Sequence, residues 1–226
     1  MTNFGEIVEP VTRTAWEDWD EVTPERSFPE LKWQKDLESP GDIDTIFILE
    51  GKYLADCIKM QSSNLELVNT IPEVSLQLYK SRTVNKYICT IKDYNVVLSS
   101  EIVELLRQYL IVSVNVIAIQ TKPLSDYQAM ELSGQDCIIR AVSTTKRIQL
   151  NLKYPKLEQP NIVSGVSAGV ISLREHLNEA GLALLCYMEH PEEFQIEEME
   201  KLLDKLNISQ NSNARPSSVL NSNLYI

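Results

Sequence analysis

The chain has 226 residues, 43 % apolar and 23 % charged, which suits one packed domain with extensions rather than a fibre or a low-complexity polymer. Its formal net charge is −11 and no stripe of Lys and Arg interrupts the acid, so nucleic-acid and anionic-membrane partners are disfavoured. No stretch approaches the ~18 apolar residues of a membrane span, and Met1 to Pro10 carry acid without an apolar run. Neither membrane insertion nor a secretion signal is therefore expected, and the reducing cytosol or the nucleus is the expected location. Cys57, Cys89, Cys137 and Cys186 lie far apart among apolar neighbours, with no CxxC and no Cys/His pair at metal spacing. They read as small buried hydrophobes, with no metal or other cofactor expected.

Residues 1–40 read as an extension. It is rich in acid, Thr and Pro and carries Trp16, Trp19 and Trp33. The run from Trp16 to Glu21 is too acidic for a core, yet its two rings carry large apolar area that will lie back on the domain or on a partner. The compact domain is expected from about Gly41. The continuous run Thr45 to Leu49 reads as a strand buried on both faces, as in a parallel sheet. Glu50-Gly51 breaks it, and Tyr53 to Met60 reads as a helix with Leu54, Cys57 and Ile58 on one face. Val74–Tyr79, Lys86–Ile91 and Asn95–Leu98 read as short strands of antiparallel hairpins.

Ser99 and Ser100 before Glu101 form a helix-cap pattern, and the apolar positions from Ile102 to Leu110 follow at helical spacing. Val114–Ile119 is expected as a buried strand, Thr121–Gln135 as a polar connection and Cys137–Val142 as a further strand. After turn signals at Tyr154-Pro155 and Gln159-Pro160, Gly165 to Leu177 reads as a helix with small residues at Ala168, Gly169 and Ser172. Those small residues suit a close interface with another element or a partner. Leu182–Met188 is a buried strand, and Gln195–Leu206 an amphipathic helix with Ile196, Met199, Leu202, Leu203 and Leu206 on its stripe. Residues 209–226 begin with a polar run, Ser209 to Ser218, that cannot bury enough apolar surface to order itself.

Residues suited to catalysis are sparse. His176 sits beside Arg174 and Glu175, and His190 precedes Pro191; neither lies near a nucleophile-elbow sequence. Gly165-Val166-Ser167-Ala168-Gly169 is a small-residue run but matches no phosphate-loop spacing. Glu192-Glu193 and Glu197-Glu198 stand at a helix start, where acid favours the dipole, and nothing around them suggests an apolar pocket that would split their pKa values. No enzymatic activity is expected.

The C-terminus differs in kind. Leu224, Tyr225 and Ile226 offer an apolar contact, a ring with a hydroxyl, and a terminal carboxylate that a lysine or backbone amides can hold. About 2 % of chains of this composition would end in a hydrophobic residue, Tyr and any last residue by chance, so the triplet alone is a weak signal. A polar tether of ~15 residues, reaching on the order of 20 Å, raises its value.

Several segments carry a resemblance. They are Leu157-Glu158-Gln159-Pro160-Asn161-Ile162-Val163, the small-residue helix after it, the strand ending Leu184-Leu185-Cys186-Tyr187, and the ending Asn223-Leu224-Tyr225-Ile226. With Phe4-Gly5-Glu6-Ile7-Val8 near the start, they resemble the family of proteasome assembly chaperone 1. The local match covers about Leu157 to Met188 and the last few residues; elsewhere only the pattern of elements agrees. The resemblance implies a heterodimer with proteasome assembly chaperone 2, which has a related fold. That dimer would bind the outer face of the alpha ring of the twenty-S core particle, support ring formation and block off-pathway ring dimers. It also implies that Leu224, Tyr225 and Ile226 enter a pocket between alpha subunits.

The expected architecture is thus a single α/β domain, residues 41–208, with a mixed, mostly parallel sheet flanked by helices. A disordered arm and a flexible tail would stand on either side. Two rivals remain beside the chaperone: an enzyme on a nucleoside-phosphorylase-like α/β scaffold, and an unrelated adaptor with a C-terminal peptide ligand.

Overall fold

A computed structural model describes residues 30–36, 39–59, 64–128, 137–148, 154–188 and 193–208. From Leu31 onward they belong to one α/β unit. The run expected as a doubly buried strand is β1 (Ile43–Glu50). It is followed by α1 (Lys52–Lys59), β2 (Leu65–Ile71), β3 (Leu76–Ser81) and β4 (Lys86–Ile91). Next come α2 (Ser99–Val112), β5 (Ser113–Pro123), β6 (Cys137–Ser143), α3 (Gly165–His176), β7 (Gly181–Met188) and α4 (Glu193–Lys205). The sheet has seven strands in the order β2-β3-β4-β1-β5-β7-β6. The inner strands β4, β1, β5 and β7 are parallel, while β2 and β3 at one side and β6 at the other add antiparallel pairs.

Burial on both faces explains the unbroken apolar run of β1. Ile46 and Ile48 face a cluster completed by Ile102, Leu106 and Leu110 of α2 and Val166 and Val170 of α3. Phe47 and Leu49 face the other way, onto Leu54 and Ile58 of α1, Leu202 and Leu203 of α4, and Leu206 just after it. The helices therefore sandwich the sheet, as the alternation of strands and helices implies. The core starts earlier than Gly41: Leu31 is 3 % exposed, and the Trp33 indole N–H donates to the Leu105 carbonyl at 3.3 Å.

Local chemistry overrides pattern at two places. Asn95–Leu98, expected as a strand, is a turn of 3-10 helix over Val96–Leu98 that leads into α2. The Asn95 side chain accepts from the Val97 N–H at 3.1 Å, which closes the turn, and Val96 and Val97 stay 61 % and 67 % exposed. Ser99 and Ser100 are not caps but the first residues of α2, and the Ser99 hydroxyl donates back to the Val96 carbonyl. The strand β2 has no counterpart in the sequence reading. It is an edge strand with an irregular register between Leu67 and Asn69, and Leu67 is half exposed. Residues 34 and 35 run beside it: Gln34 N–H donates to Thr70 O at 3.0 Å, and Asn69 exchanges side-chain bonds with the Lys35 backbone.

The small residues of α3 are used partly inside the chain. A Cβ on Gly169 would lie 2.8 Å from Val103 Cγ2, so α2 and α3 approach each other there as closely as glycine allows. Beyond this contact, Arg174 is fully buried at the C-terminal end of α3. Its guanidinium donates to Leu110 O at 2.7 Å, Ala180 O at 3.0 Å and Val114 O at 3.1 Å. One planar fork thus satisfies carbonyls from the end of α2, the start of β5 and the turn before β7. Arg174→Met is expected to cost about 3 kcal/mol, because buried carbonyls lose their donor. Arg174→Lys should recover only part of this, since an ammonium cannot span the same fork. An unchanged urea midpoint for Arg174→Met would contradict this account.

Candidate functional site

In open α/β sheets the crevice for ligands lies beyond the C-terminal ends of the strands, where the chain order reverses. Here that point is the end of β1, because β4 lies on one side and α2 carries the chain across to β5 on the other. Glu50 and Gln120 end the buried parts of β1 and β5, and the N-terminus of α3 meets them. The position is occupied by the protein itself. One Glu50 carboxylate oxygen accepts from the Ser167 N–H at 3.0 Å and the Ser167 hydroxyl at 2.7 Å; the other accepts from the Tyr94 hydroxyl at 2.5 Å.

The Tyr94 oxygen accepts in turn from the Val166 N–H at 2.8 Å, and the Gln120 amide donates to Ser164 O at 3.1 Å. Gly165 has φ +69, and a Cβ there would run into the Glu50 carboxylate and the Tyr94 hydroxyl. The run Gly165 to Gly169 is therefore an anion-binding helix start in geometry, but its anion is Glu50. A phosphate brought to the same amides would meet that carboxylate. Burial, followed by the hydrogen bond and negative charge of Glu50, pushes the Tyr94 hydroxyl up to about 12.

Other chemistry-bearing groups are held in local contacts. His176 is exposed at the end of α3. Neighbouring Glu175 accepts from the Thr145 hydroxyl at 2.5 Å and the Thr145 N–H at 2.7 Å, bonds that hold its carboxyl below the usual range. His190 and Glu192 lie outside the described residues, and of the expected acid pairs Glu198 is placed in an ion pair with Lys201 at 2.8 Å. Cys57, Cys89 and Cys186 are buried free thiols, and Cys137 is half buried. Burial pushes the Cys57 and Cys137 thiols up to about 11 each, and the same cause raises Cys89 and Cys186. Among the described residues no helix is long and apolar enough to cross a membrane.

The segment Leu157 to Val163, singled out by resemblance, is a clasp. Leu157 N–H donates to Ala141 O at 3.0 Å, alongside a bridge between Ala141 and Lys156. Glu158 accepts from Arg140 Nε at 2.9 Å and from the Tyr127 hydroxyl, while Arg140 lies 5.2 Å from the Tyr127 ring. The Asn161 amide exchanges bonds of 2.8 Å with the Gln128 backbone. These contacts tie β6 and the end of β5 to the entrance of α3, and leave Ile162 71 % exposed. Leu224, Tyr225 and Ile226 lie outside the described residues, as do Trp16 and Trp19.

Neither a protein-family model nor a curated protein sequence matches the chain. Solved structures do. PbaA of Pyrococcus furiosus, an archaeal homologue of proteasome-assembly chaperone, superposes with a TM-score of 0.55 at 11 % identity, over 85 % of this chain and 91 % of PbaA. PbaB of the same organism, an archaeal proteasome activator, superposes with a TM-score of 0.57 at 12 % identity, over 86 % of this chain and 96 % of PbaB. The chain shares their fold. A Thermoplasma acidophilum protein of unknown function has it too, with a TM-score of 0.56 at 9 % identity over 80 % of this chain and 84 % of that one.

Two expectations follow from this chain's filled crevice and buried thiols. Glu50→Gln removes the charge that answers the Ser167 N–H and hydroxyl at the start of α3 and is expected to cost about 1–2 kcal/mol in urea unfolding, with Ser167→Ala non-additive to it. Additive losses would show that the two groups do not act together. The thiols titrate near 8.5 when unfolded and, for Cys57 and Cys137, near 11 when folded. The native state therefore binds these protons more tightly: the stability they contribute is complete below about pH 8.5 and is lost as pH rises towards 11. At pH 8 the thiols should react with an aromatic disulfide reagent on the order of 100-fold more slowly than after unfolding. A thiol that reacts at the unfolded rate would contradict this.

Proposed function

We propose that this chain is a chaperone of proteasome assembly. In this reading it pairs with proteasome assembly chaperone 2 as a heterodimer and binds the outer face of the alpha ring of the twenty-S core particle. It promotes ring formation and blocks off-pathway ring dimers. The observation that carries the reading is the fold-wide likeness to PbaA, which extends over 85 % of this chain and 91 % of PbaA. The segments Leu157 to Val163 and Leu224 to Ile226 lend it support from sequence.

The docking element is the C-terminal triplet. Ile226 supplies its carboxylate to a cationic group, Tyr225 its ring and hydroxyl, and Leu224 its apolar side chain. A single short peptide binds weakly. Linked to a folded surface and to a partner's tail, it re-binds at high effective concentration. Such a mechanism needs no turnover and no cofactor, and the Glu50 carboxylate at the start of α3 leaves little reason for a phosphate there. The cytosol or the nucleus is its place of action. A second reading has PbaB behind it: a chain of this fold that activates a finished proteasome. The same tail would serve both.

Deleting Leu224 to Ile226, or Tyr225→Ala, is expected to weaken binding to alpha rings about 30-fold, the loss of a desolvated Tyr anchor worth ~2 kcal/mol. Melting temperature should not move. Appending one residue after Ile226 keeps every side chain and displaces only the carboxylate, so it should also weaken binding. If both variants bind as tightly as the parent at matched salt, tail docking is wrong. If the chain stimulates peptide hydrolysis by mature particles and ignores ring intermediates, the activator reading replaces the chaperone.

A further inference from the structure

At the rim of the sheet opposite Glu50, the N-terminal parts of β4, β1 and β5 and the C-terminal end of α4 enclose a groove of about 370 Å³. Its floor is apolar, with Phe47 and Ile117 from the sheet and Leu206 just after α4 nearly buried beneath it, and Val114 of β5 exposed beside them. Its rim carries four cations, Lys86, Lys146, Arg147 and Lys205, against one carboxylate, Glu179. Glu179 already pairs with Lys146 at 2.7 Å. Lys86 and Lys205 face rings instead, each 5.9 Å from a centroid, Phe47 and Tyr154 respectively. Arg147 is exposed and has no carboxylate partner among the described residues. In a chain of net charge −11, the groove is a local reversal of sign.

Its geometry selects among anions. A compact oxyanion needs donors converging on one point, as backbone amides do at a helix N-terminus. The helix end here is the C-terminus of α4, whose carbonyls carry the negative end of the helix dipole. The cations stand apart, on β4, on the segment after β6 and on α4. That arrangement suits carboxylates spread along an extended chain, with an apolar side chain between them resting on the floor. We propose that the groove docks an acidic peptide segment of a protein partner, with one aromatic or aliphatic residue over Phe47 and Ile117 and flanking carboxylates at the cationic rim. The proposal is independent of the tail and of the proteasome reading.

The test is fluorescence anisotropy with the full chain and a labelled short peptide of Asp and Glu around a central Trp. Saturable binding at low salt is expected. Arg147→Glu combined with Lys205→Glu should weaken it about tenfold, as should Trp→Ser in the peptide. Arg147→Ala alone should weaken it by about threefold, which keeps the test open if the double variant loses its fold on circular dichroism. Arg107→Glu reverses one charge on an exposed face of α2, away from the groove, and should leave binding unaltered. Absence of binding, equal damage from Arg107→Glu, or polyphosphate binding tighter than the peptide would each overturn the proposal.

Discussion

The buried carboxylate of Glu50 holds together the end of the sheet on which the other elements converge. It sits at the end of the central strand, accepts from the first turn of α3, and through Tyr94 also engages the segment that leads into α2. Each partner supplies what a buried carboxylate needs, hydrogen-bond donors and the positive end of a helix dipole. In return the carboxylate fixes where α3 starts, and hence how closely Gly169 can approach Val103. Arg174 does the corresponding work at the far end of α3, gathering carbonyls that the helix ends and the turn before β7 would otherwise leave unpaired. The helix is thus pinned at both ends by a buried charge.

This arrangement bears on function. The position where a sheet of this topology would receive a ligand is spent on internal cohesion, and the exposed apolar and cationic surfaces lie elsewhere. They include the exposed Val96 and Val97 before α2, Ile162 on the clasp, and the cationic groove at the opposite rim.

Much of the fold was legible because burial imposes a plain pattern. The runs of β1, β5 and β7 are apolar on both faces, and the stripes of α1, α2 and α4 recur at helical spacing. What escaped was set by contacts between residues distant in sequence. The strand β2 is an edge strand whose alternation is broken by its irregular register, so its pattern was weak. The turn at Val96–Leu98 has strand-like composition and owes its shape to one side-chain bond from Asn95. Glu50 read as a strand end, since nothing local announces a partner 117 residues away. The Leu157–Val163 segment stands out in the sequence by resemblance alone, because its physical role depends on Tyr127, Arg140 and Gln128, which are distant along the chain.

The proposed function can be put to its most direct test by affinity capture of the full chain from its native cells, with the tag at the N-terminus so that Ile226 keeps a free carboxylate. Mass spectrometry of the co-purifying proteins is then read against an untagged control. The account predicts enrichment of proteasome alpha subunits together with a second chain of the same α/β fold. Capture that enriches neither would contradict it.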